Sequence, residues 1–225
     1  MKKVLITGAS DGIGKQIAKL LDKDEYSLYL FGRTQSKLDA LDIEHCARKY
    51  CFDMKDRDSL NTALDSISKD GGVDILINNA GFNAGKAEVK DLDINDLEDM
   101  ISVNTIAPLI CIQKCIPSML EKKEGMIINV LSTTCLFSNP NNGGYTASKS
   151  TLQSLSKILV KEVKDQGIKV LDVYPGGVDT NFRDVDRPEY LKAETVAKHI
   201  VYAIENNDDG MIQEIIVRPT CENNY

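Results

Sequence analysis

No stretch of this sequence stays apolar for anything near the ~20 residues that a bilayer-spanning helix needs. The start, Met1-Lys2-Lys3-Val4-Leu5-Ile6-Thr7-Gly8, opens like an export signal, but its apolar run ends after three residues. That is too short for a secretory core. Both features point to a cytoplasmic protein with no membrane partner. A basic stripe is missing as well: Lys and Arg total 27 against 34 Asp and Glu, a net charge of -7. Binding to a phosphate backbone rests on clustered cations, so a nucleic-acid partner is excluded. Histidine is scarce, with two in the chain, and none of the six cysteines forms a C-x-x-C pair. His45-Cys46 and Cys51 are too few for a zinc site, so no metal is expected. The thiols should stay reduced, and Cys111 and Cys115, one helical turn apart, read as buried packing residues.

Linkers rich in Pro, Gly and Ser are absent too, as are internal repeats and low-complexity tracts. The 225 residues therefore read as one domain, 1–225, long enough to bury roughly three-quarters of its unfolded surface. Short apolar runs alternate with helix-period stretches throughout. Strands are expected at 3–7, 27–31, 50–52, 73–77, 126–131, 168–173 and 212–217. Between them lie helices at 12–21 (Ile13, Ile17, Leu20 and Leu21 on one face), 37–41, around Leu60, Leu64 and Ile67, 95–120, 145–164 and 194–204. On the helix at 145–164, the inward positions should be Leu152, Leu155, Leu159 and Val163. Strands apolar on both faces and alternating with helices imply a doubly wound Rossmann domain, its parallel sheet of about seven strands covered on both sides.

Directly after the first strand comes Thr7-Gly8-Ala9-Ser10-Asp11-Gly12-Ile13-Gly14, and then a helix. Glycines permit a tight turn and a close approach by a diphosphate, and the helix start supplies free N–H groups and a positive dipole end. Gly8, Ser10, Asp11, Gly12, Ile13 and Gly14 are thus candidate cofactor contacts. The spacing is G-x-x-x-G-x-G, so the commoner G-x-G-x-x-G fingerprint is not met literally. The next strand ends Leu30-Phe31-Gly32-Arg33-Thr34. An NAD-selective site would place an acid there to bond the ribose hydroxyls. Arg33 instead suits a 2′-phosphate, although its position alone equally allows a solvated surface arginine.

Tyr145-Thr146-Ala147-Ser148-Lys149 puts a phenol and an ammonium one turn apart on the same helix face. A free tyrosine ionises near pH ~10, and lowering that to ~7 takes roughly 4 kcal/mol of differential stabilisation, which a neighbouring cation can share. Alone the pair is weak, since most such pairs are exposed helix neighbours. Upstream, where the fifth strand ends, sits Ser132, whose hydroxyl could bond a substrate oxygen. Active groups in open parallel sheets gather beyond these strand ends.

Together these segments resemble the short-chain dehydrogenase/reductase family, in its short single-domain branch. The likeness runs from Lys3 to about Thr180, with weaker agreement to Pro219. It rests on TGASDGIG at 7–14, NNAG at 78–81, Asn104, Ser132, YTASK at 145–149 and PGGVDT at 175–180. The resemblance implies an oxidoreductase that moves a hydride between a nicotinamide and a carbonyl or alcohol substrate. Gly8, Gly12 and Gly14 would hold the diphosphate, and Asp53 the adenine. Asn79, Ala80 and Gly81 would line the cofactor, with Asn79 bracing the sheet. Tyr145 would be the general acid or base, and Lys149 would bond the nicotinamide ribose. Ser132 would orient the carbonyl, and Asn104 would anchor a proton-relay water. Pro175, Gly176, Val178 and Thr180 would close over the nicotinamide. In this family an arginine placed like Arg33 goes with NADP rather than NAD. The helices at 95–120 and 145–164 would pair in a homodimer or homotetramer.

Two departures leave the substrate open. The segment at about 181–193, beginning Asn181-Phe182-Arg183-Asp184-Val185-Asp186, is shorter than the family's usual substrate-covering loop, and the chain closes soon after its last strand. Phe82, Leu136, Phe137 and Phe182 could wall the pocket or simply pack. A ketone or aldehyde reductase is the leading expectation, and a 3-oxoacyl-thioester reductase fits less well with an acidic chain. A dinucleotide sensor without chemistry is the reading of a different class, opposed by the intact Ser132, Tyr145 and Lys149.

Overall fold

The computed structural model describes residues 1–182, 187–206 and 210–222. In chain order the strands are β1 (Lys2–Ile6), β2 (Tyr26–Gly32), β3 (Cys46–Cys51), β4 (Ile75–Asn78), β5 (Gly125–Val130), β6 (Ile168–Pro175), β7 (Val178–Asp179), β8 (Leu191–Lys192) and β9 (Glu214–Val217). The helices are α1 (Gly12–Leu20), α2 (Gln35–Asp39), α3 (Arg57–Lys69), α4 (Ile94–Ile101), α5 (Ala107–Lys122), α6 (Gly143–Val163) and α7 (Ala193–Glu205). Seven strands form one parallel sheet in the order β3-β2-β1-β4-β5-β6-β9, and β7 and β8 pair separately. Strand order reverses between β1 and β4, which places a crevice beyond their C-terminal ends.

The alternation of apolar strands and amphipathic helices is what builds this. Val4, Ile6, Leu28 and Ile77 face one side of the sheet, where Ile17, Ala18 and Leu21 around α1 and Val196, Ala197 and Ile200 of α7 cover them. Leu5, Phe31, Leu76 and Ile127 face the other, under Leu60, Leu64 and Ile67 of α3 and Cys111, Cys115 and Met119 of α5. The apolar stripes expected on α1 and α3 are therefore core stripes. Cys111 and Cys115 are buried thiols in this packing, and burial pushes Cys115 up to about 12.

Three features differ from the sequence-based expectation. The helix expected over 95–120 runs from Ile94 to Lys122 with a π turn at Ser102–Ile106. Pro108, at the start of α5, has no N–H to give the carbonyl of Asn104, so the regular ladder cannot run through and the turn widens. This long helix is apolar enough by length and composition to cross a membrane, yet half of it is buried within the protein. Leu155 is 38% exposed on α6 rather than inward, with Ile158 at 52% beside it. The segment expected as a loop to about 193 is instead ordered into β8 at Leu191–Lys192 and the start of α7 at Ala193. Its Arg183-Asp184-Val185-Asp186 portion lies outside the described residues.

A buried polar ladder seats α6 on the sheet. Asn78, Asn129 and Asp172 lie in register on β4, β5 and β6. Asn78 Nδ2 donates to Asn129 Oδ1 at 3.0 Å, and Asn129 Nδ2 donates to Asp172 Oδ1 at 3.2 Å. From α6, Ser156 Oγ donates to Asp172 Oδ1 at 2.6 Å. Burial raises the Asp172 carboxyl above its ordinary value. A buried network of this kind fixes one helix register, since any slip leaves polar atoms unpaired. That register sets where the start of α6 meets the sheet.

Candidate active site

The loop from β1 into α1 needs its glycines. Gly8 has φ +66°, and a Cβ there would lie 2.9 Å from Ala80 Cα. A Cβ on Gly14 would fall 2.4 Å from the Gly8 carbonyl oxygen and 2.5 Å from Asn79 Nδ2. This lets α1 start directly against the end of β4. Asn79 Nδ2 donates to Thr7 O at 2.9 Å, while Thr7 Oγ1 accepts the N–H groups of Asn79 and Ala80, both at 3.0 Å. Asn79 thus ties β1 to β4 at the crevice, with Thr7, which sequence reasoning passed over, as its counterpart.

Asp11 caps α1, its carboxylate accepting the Gly12 N–H at 2.8 Å. The next first-turn amides, of Ile13 and Gly14, have no acceptor within the helix, which suits an anion at this end. The same carboxylate takes an ion pair from Lys37 of α2 and a hydrogen bond from Asn181 Nδ2 at 3.0 Å. Burial alone would raise the Asp11 carboxyl, but the bonds from Lys37, Asn181 and Gly12 outweigh it and hold it below 3.8. The sequence does not single out Lys37, because a lysine on a short helix carries no local signal of its partner. It neutralises the carboxylate that would otherwise oppose a phosphate here.

Arg33 is exposed just past the end of β2, and Asp53 is exposed just past β3, its Oδ1 accepting the Lys55 N–H at 2.9 Å. Ser10 packs against Gly32, where a Cβ would lie 2.9 Å from Ser10 Oγ. Across the crevice, Thr180 approaches the glycine loop: a Cβ on Gly12 would come within 3.4 Å of its methyl group. Pro175 ends β6, Gly176 follows it, and Val178 begins β7.

Between these two walls lie the groups able to do chemistry. Ser132, two residues past the end of β5, is extended and caps the short turn Thr133–Cys135, its Oγ accepting the Thr134 N–H at 3.2 Å. Tyr145 stands in the first turn of α6, its ring 6.0 Å from that of Phe182. Lys149, one turn on, is buried and donates from Nζ to Val130 O at 2.8 Å. Burial pushes its ammonium down to about 8. Asn104 sits in the π turn, fully buried, donating to Phe82 O at 2.7 Å and to Ser148 Oγ at 2.9 Å, while its Oδ1 accepts the Phe82 N–H at 2.8 Å. A Cβ added to Gly81 would lie 3.5 Å from Lys149 Nζ, 3.5 Å from Asn104 Oδ1 and 3.7 Å from the Phe182 ring, so these groups surround one spot.

Of the aromatic residues considered as a pocket wall, Phe182 lies over this spot. Phe137 does not line it freely, because its ring is covered by the Arg218 guanidinium at 4.7 Å. Phe82 is held through its backbone by Asn104, and Leu136 is exposed.

The short chain dehydrogenase profile matches residues 2–190. The chain belongs to the short-chain dehydrogenase family. An uncharacterized oxidoreductase of Staphylococcus epidermidis is 30% identical over 224 residues, 97% of each chain. An alcohol dehydrogenase from Thermococcus sibiricus, complexed with 5-hydroxy-NADP, superposes with a TM-score of 0.90 at 24% identity, covering 99% of this chain and 98% of that one. At this identity the match speaks for the fold alone. A short-chain dehydrogenase from Sphingobium yanoikuyae in complex with NADPH is 25% identical with a TM-score of 0.86, covering 99% and 89%. This short-chain dehydrogenase is thus an oxidoreductase with the fold of nicotinamide-dependent relatives.

Proposed function

We propose that this short-chain dehydrogenase is an NADP-dependent reductase of a ketone or aldehyde, acting as one catalytic domain with Tyr145 as the proton donor. The observation that carries the reading is Lys149. It is buried, its hydrogen bond goes to a backbone carbonyl, and no carboxylate pairs with it among the described residues. A buried cation without a counter-charge is costly, and such groups cluster at functional sites. The cofactor fits the residues present: the close-packed glycine loop and the first α1 amides suit a diphosphate, and exposed Arg33 suits a 2′-phosphate.

Gly8, Gly12, Ile13 and Gly14 would hold the diphosphate; Ser10 and Arg33 would face the 2′-phosphate, and Asp53 the adenine. Asn79, Ala80 and Gly81 line the middle of the crevice, opposite Pro175, Gly176, Val178 and Thr180. When bound, NADPH supplies the hydride. The Ser132 hydroxyl donates a hydrogen bond to the substrate carbonyl oxygen, and the Tyr145 phenol gives that oxygen its proton as negative charge builds on it. Lys149 offsets the charge then left on Tyr145 and would also hold the nicotinamide ribose. Asn104, locked to Ser148 and Phe82, keeps the π turn beside Lys149 and would anchor a water that returns the proton.

Preference for NADP over NAD is supported by Arg33 standing where an acid would serve NAD, by Asp11 being already neutralised, and by the NADPH complex of the Sphingobium relative. The reading places the enzyme in the cytoplasm, in keeping with six free cysteines. Leu155 and Ile158, exposed together on α6, support a homodimer or homotetramer. Light scattering at micromolar concentration should show two or four copies, and a monomer contradicts that part.

The test is NADPH oxidation by the purified protein against aldehydes, ketones, quinones and 3-oxoacyl thioesters. Turnover confined to the thioesters would favour the carrier-linked reading, and cofactor binding without any turnover would favour a sensor.

A further inference from the structure

We propose that Arg218 and Glu222, at the end of the chain, are positioning residues that hold the Gly176–Gly177 turn in fixed relation to the turn that Ser132 caps. The proposal rests on the reading of the site above. Past the end of β6 the chain leaves the sheet, and its polar groups need other partners. Gly176 donates its N–H to Val217 O at 2.8 Å, and the Gly177 carbonyl accepts the Leu191 N–H at 3.0 Å. The Gly177 N–H is taken by a side chain: it donates to Glu222 Oε1 at 2.6 Å.

Space confirms how close the approach is. A Cβ on Gly176 would lie 2.6 Å from Glu222 Oε2 and 2.9 Å from Pro219 Cδ, and one on Gly177 would lie 2.5 Å from the Tyr190 ring. Both glycines are therefore dictated by what presses on them, with the carboxylate on one side and the ring on the other.

The second oxygen of Glu222 accepts from Arg218 Nε at 3.1 Å, with the side chains only 9% and 19% exposed. Such a pair escapes the solvent screening that weakens surface pairs. The Arg218 guanidinium lies 4.7 Å above the Phe137 ring. Phe137 in turn donates its N–H to Thr133 O at 2.8 Å, inside the turn that Ser132 caps. An unbroken series of contacts thus joins Gly177, Glu222, Arg218, Phe137 and Thr133. One end adjoins the wall proposed for the nicotinamide, the other the hydroxyl proposed for the substrate oxygen. A shielded pair holds a single geometry, and removing one partner leaves the other charge unpaired. Loss of the pair should therefore be felt both in stability and, through the two turns, in turnover.

The experiment compares wild type with Glu222→Ala and Glu222→Gln. It reads kcat and KM with the carbonyl compound reduced fastest in the screen, the thermal midpoint, and amide exchange over 131–137 and 175–179. Glu222→Ala should lower kcat about ten-fold, the scale of a sub-ångström misplacement, with little change in KM for NADPH, while the midpoint falls because Arg218 is left unpaired. Exchange should speed up over both turns. The glutamine side chain still accepts from Gly177, so Glu222→Gln should recover most of the protection and most of kcat. The proposal is overturned if Glu222→Ala keeps wild-type exchange over both turns, or if only the midpoint falls. A wild type that reduces no carbonyl sinks the functional reading, and the exchange comparison still decides the brace.

Discussion

Lys149 donates to the Val130 carbonyl at 2.8 Å from a buried position where burial has pushed its ammonium down to about 8. In the unfolded chain the same group titrates near 10.5. Below pH 8 both states carry the proton, and the folded state bears the whole cost of the buried charge. Between pH 8 and 10.5 the unfolded state binds a proton that the folded state does not, so stability rises with pH across that window.

Lys149→Met should therefore stabilise the cofactor-free protein at neutral pH even as it abolishes turnover. The shift corresponds to about 3 kcal/mol, reduced by about 1 kcal/mol for the bond to Val130 that is lost. Thermal midpoints of the two proteins should differ by several degrees at pH 7 and converge as the pH climbs past 8. A less stable methionine variant at pH 7 would contradict the role of burial.

On the proposed reading, cofactor choice should turn on Arg33 and on the Asp11 carboxylate that Lys37 pairs with. A charge-assisted bond from Arg33 to a 2′-phosphate contributes about 1.5–3 kcal/mol, or roughly ten- to a hundred-fold in preference. Arg33→Ala should lose that preference and leave NADH binding nearly unchanged, as read by titration of both cofactors. Lys37→Ala should weaken NADPH binding as well, by releasing the Asp11 charge toward the phosphate. Equal binding of NADH and NADPH by wild type would make Arg33 an ordinary surface residue.

A separate pH effect lies far from the site. His45 Nδ1 is 2.9 Å from Asp22 Oδ1 and Nε2 is 3.0 Å from Asp24 Oδ1, and the bond to Asp22 raises the imidazole above 6.5. The charged histidine is favoured in the folded state, so its contribution is complete below about pH 6.5 and is lost as pH rises through the higher folded value. The midpoint gap between wild type and His45→Gln should be widest in acid and should close in alkali. A gap that stays constant or widens with pH would contradict this pairing.

Much of this architecture is legible in the residues because the central strands β4, β5 and β6 are buried on both faces and helices such as α1 and α3 carry one apolar stripe. Boundaries shift by a residue or two: β1 begins at Lys2, before its apolar run, and β4 runs Ile75–Asn78 where 73–77 is expected. What escapes reading is what depends on distant partners. Asn104 is visible as a family position, but the π turn that holds it follows from Pro108 and from packing against α6. Leu155 follows the inward period of its helix and still faces out, since periodicity says nothing of where the neighbouring element stops. Lys37, Thr7, Arg218 and Glu222 acquire their roles only when the ends of β1, β2, β5 and β6 come together.

The central claim is that Tyr145 carries the proton. Tyr145→Phe removes one oxygen and leaves the ring to pack against Phe182 as before. Single-turnover reduction with NADPH pre-bound separates chemistry from binding. Cofactor affinity should match wild type while the reduction rate falls at least ~100-fold, the low end for general acid catalysis. A phenylalanine variant that reduces the carbonyl at near wild-type rate would take Tyr145 out of the mechanism.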